Sequence, residues 1–152
     1  MLIGFVAAVA VLMVYIRVAP SRAADWHDTK LPPLGIGQFP ATSGYVEQRA
    51  VANGGTEEMA ALDAIIRATP RTMGLVGTLE SGKMTYVTRS KVVGFPDYTT
   101  VSLLADTKTG APTLQVFGRL RFGRSDLGVN RSRITGWLAQ LDAGTGTDTP
   151  TS

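Results

Sequence analysis

The residues with the greatest capacity for chemistry in this chain are a set of arginines and two aspartates in its second half. Arg89, Arg119, Arg121 and Arg133 carry planar guanidinium groups suited to bidentate contacts with carboxylate or phosphate. Asp97 and Asp126 supply carboxylates in the same stretch. Two arrangements fit. Converging arginines would line a face for an anionic small molecule or a lipid headgroup. Alternatively, Arg119 or Arg121 pairs with Asp97 or Asp126, because a half-buried arginine needs a carboxylate. Asp126 and Asn130 also fit as caps of a following helix, accepting from its free N–H groups.

Other chemistry is restricted. Cysteine is absent and His27 is the one histidine. That composition excludes a disulfide, a thiol nucleophile, a histidine-based triad and a thiolate or multi-histidine metal site. Neither a cofactor nor a metal is expected. The acid–base candidates Asp97, Asp126 and Tyr86 have no nucleophile pair beside them in sequence, so the chain is not expected to be an enzyme. Gly77, Gly82 and Lys83 match part of a phosphate-binding loop, but Met84 replaces its Ser or Thr and MTYVTRS predicts a strand where that loop needs a helix. A hairpin turn accounts for them. The net charge of +3 is mild and aromatic interleaving is missing, which argues against nucleic acid as a partner.

The elements that would position these residues follow from periodicity. Thr56, Glu57 and Glu58 predict a helix start, Met59, Leu62, Ile65 and Ile66 its apolar stripe, and Pro70 its end, giving a helix near Thr56 to Ala68. From Met73 the pattern turns to β-rich runs: Met73 to Leu79, Met84 to Val93 and Tyr98 to Ala105, with GFPD from Gly94 to Asp97 as a turn. A fourth run alternates, with Leu114, Val116, Gly118 and Leu120 on one face and Gln115, Phe117, Arg119 and Arg121 on the other. A last helix is expected from Asn130 to Ala143, its stripe Ile134, Trp137, Leu138 and Leu141 and its C′ residue Gly144. Residues 144–152 have nothing to bury and are expected to be disordered.

Before these lies an apolar run. Leu2 to Ile16, extended by Val18 and Ala19, approaches the roughly 20 residues that span a bilayer. Tyr15, Arg17 and Trp26 would sit at its interface. A cleaved signal peptide is the rival reading, but no basic residue precedes the run, and a retained anchor over residues 1–19 is favoured. Pro32, Pro33, Gly35, Gly37, Pro40 and Gly44 give residues 20–55 the composition of an extended arm. Arg17 and Arg22 alone would leave the domain in the cytoplasm by the positive-inside rule.

The motifs TYVTRS, GFPDY and RFGRSDLGVNRSR, in that order, resemble DUF1499, a bacterial and plastid family of unknown function. The resemblance runs from about Pro70 to Leu141, with IRVAPSRAADWH similar to the family's membrane-exit segment. It implies that Arg89, Ser90, Phe95, Pro96, Asp97, Arg121, Gly123, Asp126, Gly128, Asn130 and Arg133 are characteristic positions. Gly118 and Leu120 stand where the family commonly carries serines, which weakens a site built on hydroxyls. The resemblance implies a fold and membrane association, with the domain exported, and no activity or substrate.

The combined expectation is an α+β protein, an antiparallel sheet of about four strands packed by two helices over residues 56–143, behind a single N-terminal transmembrane helix. It is placed in the inner membrane with the domain periplasmic. Its expected function is that of a non-catalytic accessory or assembly subunit of a larger membrane protein complex. The alternative is a binding module whose arginine-lined face takes an anion or lipid headgroup.

Overall fold

A computed structural model of the chain describes residues 1–32 and 34–145. In chain order its elements are α1 (Leu2–Val18), α2 (Ala23–His27), β1 (Gly37–Ala41), β2 (Gly44–Ala50), α3 (Thr56–Ala68), β3 (Thr72–Thr78), β4 (Lys83–Arg89), β5 (Pro96–Ala105), β6 (Pro112–Leu120) and α4 (Val129–Thr145). All strands pair antiparallel in one sheet of order β1-β2-β6-β5-β4-β3.

α3 forms where acidic residues and spacing predict it. Glu57 and Glu58 sit in its first turn, and Met59, Leu62 and Ile66 are its buried stripe. Its cap is Gly55 in the left-handed region (φ 78°), so Thr56 is the first helical residue. α3 and α4 cover the same face of the sheet. There Tyr45, Met84, Tyr86, Val101, Leu114 and Val116 meet Met59, Leu62, Ile66, Ile134, Trp137, Leu138 and Leu141 in one core. Each fully buried aliphatic or aromatic side chain contributes about 1.5–3 kcal/mol. The Trp137 indole N–H donates to Thr69 Oγ1 at 2.7 Å, so its polar edge is satisfied at the end of α3. Gly118 is where α4 approaches closest: a Cβ there would lie 2.8 Å from Asn130 Oδ1 and 2.9 Å from Ile134 Cδ1.

Three sequence expectations need correction. The sheet has six strands, not four, because Gly37 to Ala50 forms the hairpin β1–β2, which adds to the far side of β6. Pro40 is tolerated because β1 is an edge strand, where a missing N–H costs no ladder bond. Gly144 is not a C′ residue; α4 continues through Thr145. The tail expected to be disordered otherwise lies outside the described residues.

The third correction concerns the N-terminus. α1 has 17 residues, a length of about 25 Å at 1.5 Å per residue, short of the roughly 30 Å hydrocarbon core of a bilayer. Among the described residues no helix is long and apolar enough to cross a membrane. The transmembrane helix, and with it the single-pass inner-membrane anchor carrying a periplasmic domain, is therefore not supported. The residues that lengthened the apolar run in sequence serve another purpose. The helix ends at Val18, Ile16 and Ala19 are buried, and Arg17 donates through Nε to the Val93 carbonyl at 3.1 Å and through Nη2 to the Val92 carbonyl at 2.8 Å. Arg17 thus ties α1 to the β4–β5 loop instead of reaching for a lipid interface.

Candidate functional site

The sheet face turned away from α3 and α4 mixes Val46, Val87 and Phe117 with Thr85, Thr100, Gln115 and Arg119, and the segment from Ala19 to Asp28 lies across part of it. Trp26 stacks on Tyr98 with ring centroids 3.7 Å apart and planes 9° from parallel. The Trp26 carbonyl accepts from Thr100 Oγ1 at 3.1 Å and from the Arg119 guanidinium. Arg119 also donates to Thr100 Oγ1 at 3.2 Å, and its Cζ sits 4.6 Å from the Phe117 ring centroid and 5.4 Å from that of Trp26. Arg121 donates to the Pro20 carbonyl at 3.0 Å and to the Tyr98 hydroxyl at 3.2 Å, while Ser21 Oγ and Tyr98 Oη lie 2.6 Å apart. His27 Nδ1 is 3.0 Å from Thr85 Oγ1. Burial brings the Arg119 guanidinium down to about 10, still charged at neutral pH. Among the described residues these two arginines hydrogen-bond only to neutral oxygens.

On the opposite face, Asp97 and Arg133 form an ion pair at 3.2 Å with both side chains 15% exposed. Arg133 also donates to Asn130 Oδ1 at 3.1 Å. Burial pushes the Asp97 carboxyl above its ordinary range; Arg133 pulls it down and the neighbouring Asp126 charge adds to the rise. Asp126 caps α4, its Oδ2 accepting from Asn130 N–H at 3.1 Å and its Oδ1 from Gly128 N–H at 3.0 Å. Nearby in the core, the Tyr86 hydroxyl donates to Asp63 Oδ1 at 2.7 Å, and burial with that carboxylate raises its phenol.

A family model described as a protein of unknown function, DUF1499, matches residues 20–141. The chain belongs to the DUF1499 family. None of the curated proteins matches it. The DUF1499 match begins at Pro20, so it takes in the segment laid across the sheet and ends within α4, leaving α1 outside. Since the family is one of unknown function, it indicates no catalytic class.

Within this DUF1499 fold the polar residues singled out from sequence divide into separate groups. Asp97, Asp126, Asn130 and Arg133 come together on the helix-covered side. Arg119 and Arg121 come together with Trp26 on the other side, so neither pairs with either aspartate. Arg133 fills the role expected of those arginines. Arg89 stands apart at the end of β4, donating to the Gly94 carbonyl at 3.1 Å and so bracing the GFPD turn. Tyr15 is exposed on α1, its carbonyl accepting from Ala19 N–H, and Arg17 holds the β4–β5 loop. Among the described residues no group of acidic and histidine side chains could hold a metal ion.

Sequence reasoning passed over Tyr98, Thr100, Ser102 and Gln48 and assigned Lys83 to a hairpin turn; all five face the same side as Arg119 by strand register. The signal for β5 was present as the alternation of Tyr98, Thr100 and Ser102 with Thr99, Val101 and Leu103. Gln48 lies on β2, which composition disguised as an arm.

Proposed function

We propose that this DUF1499 protein is a non-catalytic accessory or assembly subunit of a larger protein complex, joined to it through α1. The observation that carries this reading is the state of α1. Phe5, Leu12 and Val14 are 68%, 56% and 60% exposed, and Ile3, Val6, Val11 and Tyr15 are exposed too. A helix apolar around its circumference requires burial against something. Arg17 meanwhile fixes the exit of that helix to the domain. The side chains suited to acid–base work are engaged structurally: Asp97 by Arg133, Asp126 by the start of α4, and Tyr86 by Asp63.

The test is affinity purification of the full-length protein from its native source in mild detergent, beside the double variant Leu12→Lys, Val14→Lys. Stoichiometric recovery of one complex with the parent chain, lost in the variant while the domain's circular dichroism is unchanged, supports the reading. Recovery of the parent chain alone overturns it.

A second reading, an anion-binding module, draws on Arg119 and Arg121, whose charges have no carboxylate opposite them among the described residues. Main-chain carbonyls of Pro20 and Trp26 already occupy both, so an anion would have to displace that segment. Phosphate-dependent loss of the Trp26–Tyr98 stack, read by near-ultraviolet circular dichroism, would favour it over the first.

A further inference from the structure

Beside the Trp26 segment the same sheet face carries a cleft of about 530 Å³. Its floor is one row of side chains running across four adjacent strands, for Lys83 pairs in register with Ser102, Ser102 with Gln115, and Gln115 with Gln48. All four line the cleft, and Leu31, Pro32, Leu34 and Leu104 supply apolar wall.

The floor is buried yet incompletely bonded. Gln48, Ser102 and Gln115 are 3%, 4% and 5% exposed. Gln115 Nε2 donates to Gln48 Oε1 at 3.0 Å, and Gln48 Nε2 donates to Thr113 Oγ1 at 3.1 Å, which fixes both amides in one orientation. The chain of donors leaves Gln115 Oε1 and Ser102 Oγ facing the cleft without a protein partner among the described residues. Neither atom is among the fully enclosed polar atoms left without a partner, so both open to the space of the cleft, where water or a ligand can donate to them. At the end of the row, among the described residues Lys83 Nζ is held only by Asp28, 4.0 Å away and 81% exposed, a contact of little energetic weight.

We propose that this cleft binds an acylated α-amino acid, either as a small molecule or as the C-terminal residue of a peptide. Its carboxylate meets the Lys83 ammonium, its amide N–H donates to Gln115 Oε1 or Ser102 Oγ, and an apolar side chain rests on Leu31, Leu34 and Leu104. A row with one cation, two acceptors and an apolar flank matches those three features together. The site is independent of α1 and of the two arginines.

The experiment is titration of the full-length, isotope-labelled protein with N-acetyl-leucine, following the side-chain amide signals of Gln48 and Gln115. Saturable shifts at millimolar concentration or below are expected, about tenfold weaker with the neutral N-acetyl-leucinamide and about tenfold weaker in Lys83→Met. Ser102→Ala removes an unpartnered hydroxyl, so it should keep the fold and weaken binding. Acetyl-Ala-Ala-Leu separates the two sources: tighter binding assigns a peptide C-terminus, and weaker binding a free acyl amino acid. Absence of saturable shifts with both N-acetyl-leucine and the tripeptide overturns the proposal. Equal binding of N-acetyl-leucinamide and N-acetyl-leucine does so as well.

Discussion

Replacing Arg133 with methionine isolates the worth of the ion pair beneath α4. Asp97 and Arg133 are each 15% exposed, and burial already holds the Asp97 carboxyl above its ordinary range despite the guanidinium beside it. Methionine keeps much of the volume and deletes the charge, leaving a carboxylate in a poorly solvated place and Asn130 Oδ1 without its donor. Breaking a buried pair in this way costs about 3–5 kcal/mol, and the residual exposure here favours the lower end. A loss of about 3 kcal/mol corresponds to a fall of about 10 °C in Tm for a domain of this size. The sign of the pH dependence follows from the direction of the shift. A carboxyl whose folded pKa exceeds its unfolded value contributes most when protonated, below the unfolded value of about 3.9, and that contribution is lost as pH rises through the folded pKa. Arg133→Met raises the folded value further, so its deficit should be widest at neutral pH and narrow toward roughly pH 4. Adding Asp97→Asn should recover much of the loss, and urea unfolding of the parent, both single variants and the double variant gives the coupling energy directly. A deficit below about 1 kcal/mol at neutral pH, or one of equal size near pH 4, refutes the reasoning.

Other expectations can be checked with the same equipment. Arg119→Met should change stability by no more than about 1 kcal/mol, because the cation it deletes is desolvated and faces only neutral acceptors; a loss beyond about 3 kcal/mol in urea would show that the charge itself is required. Gly118→Ala should cost about 2 kcal/mol by thermal unfolding, since its Cβ would press on Asn130 and Ile134. Among the tyrosines, burial and Glu47 push Tyr45 up to about 12, and Tyr86 is raised as well. The stability these phenols contribute is complete below an ordinary phenol value of about 10 and falls as pH climbs through their raised values. Phenolate absorbance should therefore show their ionisation delayed, and titration of every tyrosine near pH 10 would contradict this.

The parts of the fold written in local periodicity were legible. Met59, Leu62 and Ile66 announced α3, and the alternation from Leu114 to Leu120 announced β6 and correctly separated the face of Val116 from that of Arg119. The hairpin β1–β2 was not, because Pro40 and the surrounding glycines read as linker until the edge position of β1 is known. The N-terminus misled for a different reason. Apolar composition counts residues toward a bilayer span, while the end of α1 is set by Arg17 and Ala19 docking on the domain, which is tertiary information. The ion pair was half visible: pairing of Arg119 or Arg121 with Asp97 or Asp126 was expected because a half-buried arginine needs a carboxylate, but finding Arg133 as the partner needed the face of each residue, which only strand order supplies. The cleft floor was invisible, as Gln48, Gln115, Ser102 and Lys83 are far apart in sequence and are aligned by register alone.

Strand order also fixes a timetable for synthesis. β3, β4, β5 and β6 are neighbours in sequence and in the sheet, so each can pair as soon as it leaves the ribosome. The hairpin β1–β2 emerges first and yet its partner, β6, is the last strand made, joined to it from Gly44↔Arg119 to Ala50↔Thr113. Pairing across so long a stretch of chain is slow relative to local contacts. Throughout translation of β3, β4 and β5 the nascent chain therefore carries an open β2 edge with its N–H and C=O groups unpaired, and the Trp26 segment, although Tyr98 is supplied by β5, has no Arg119 to settle on until the same final strand arrives.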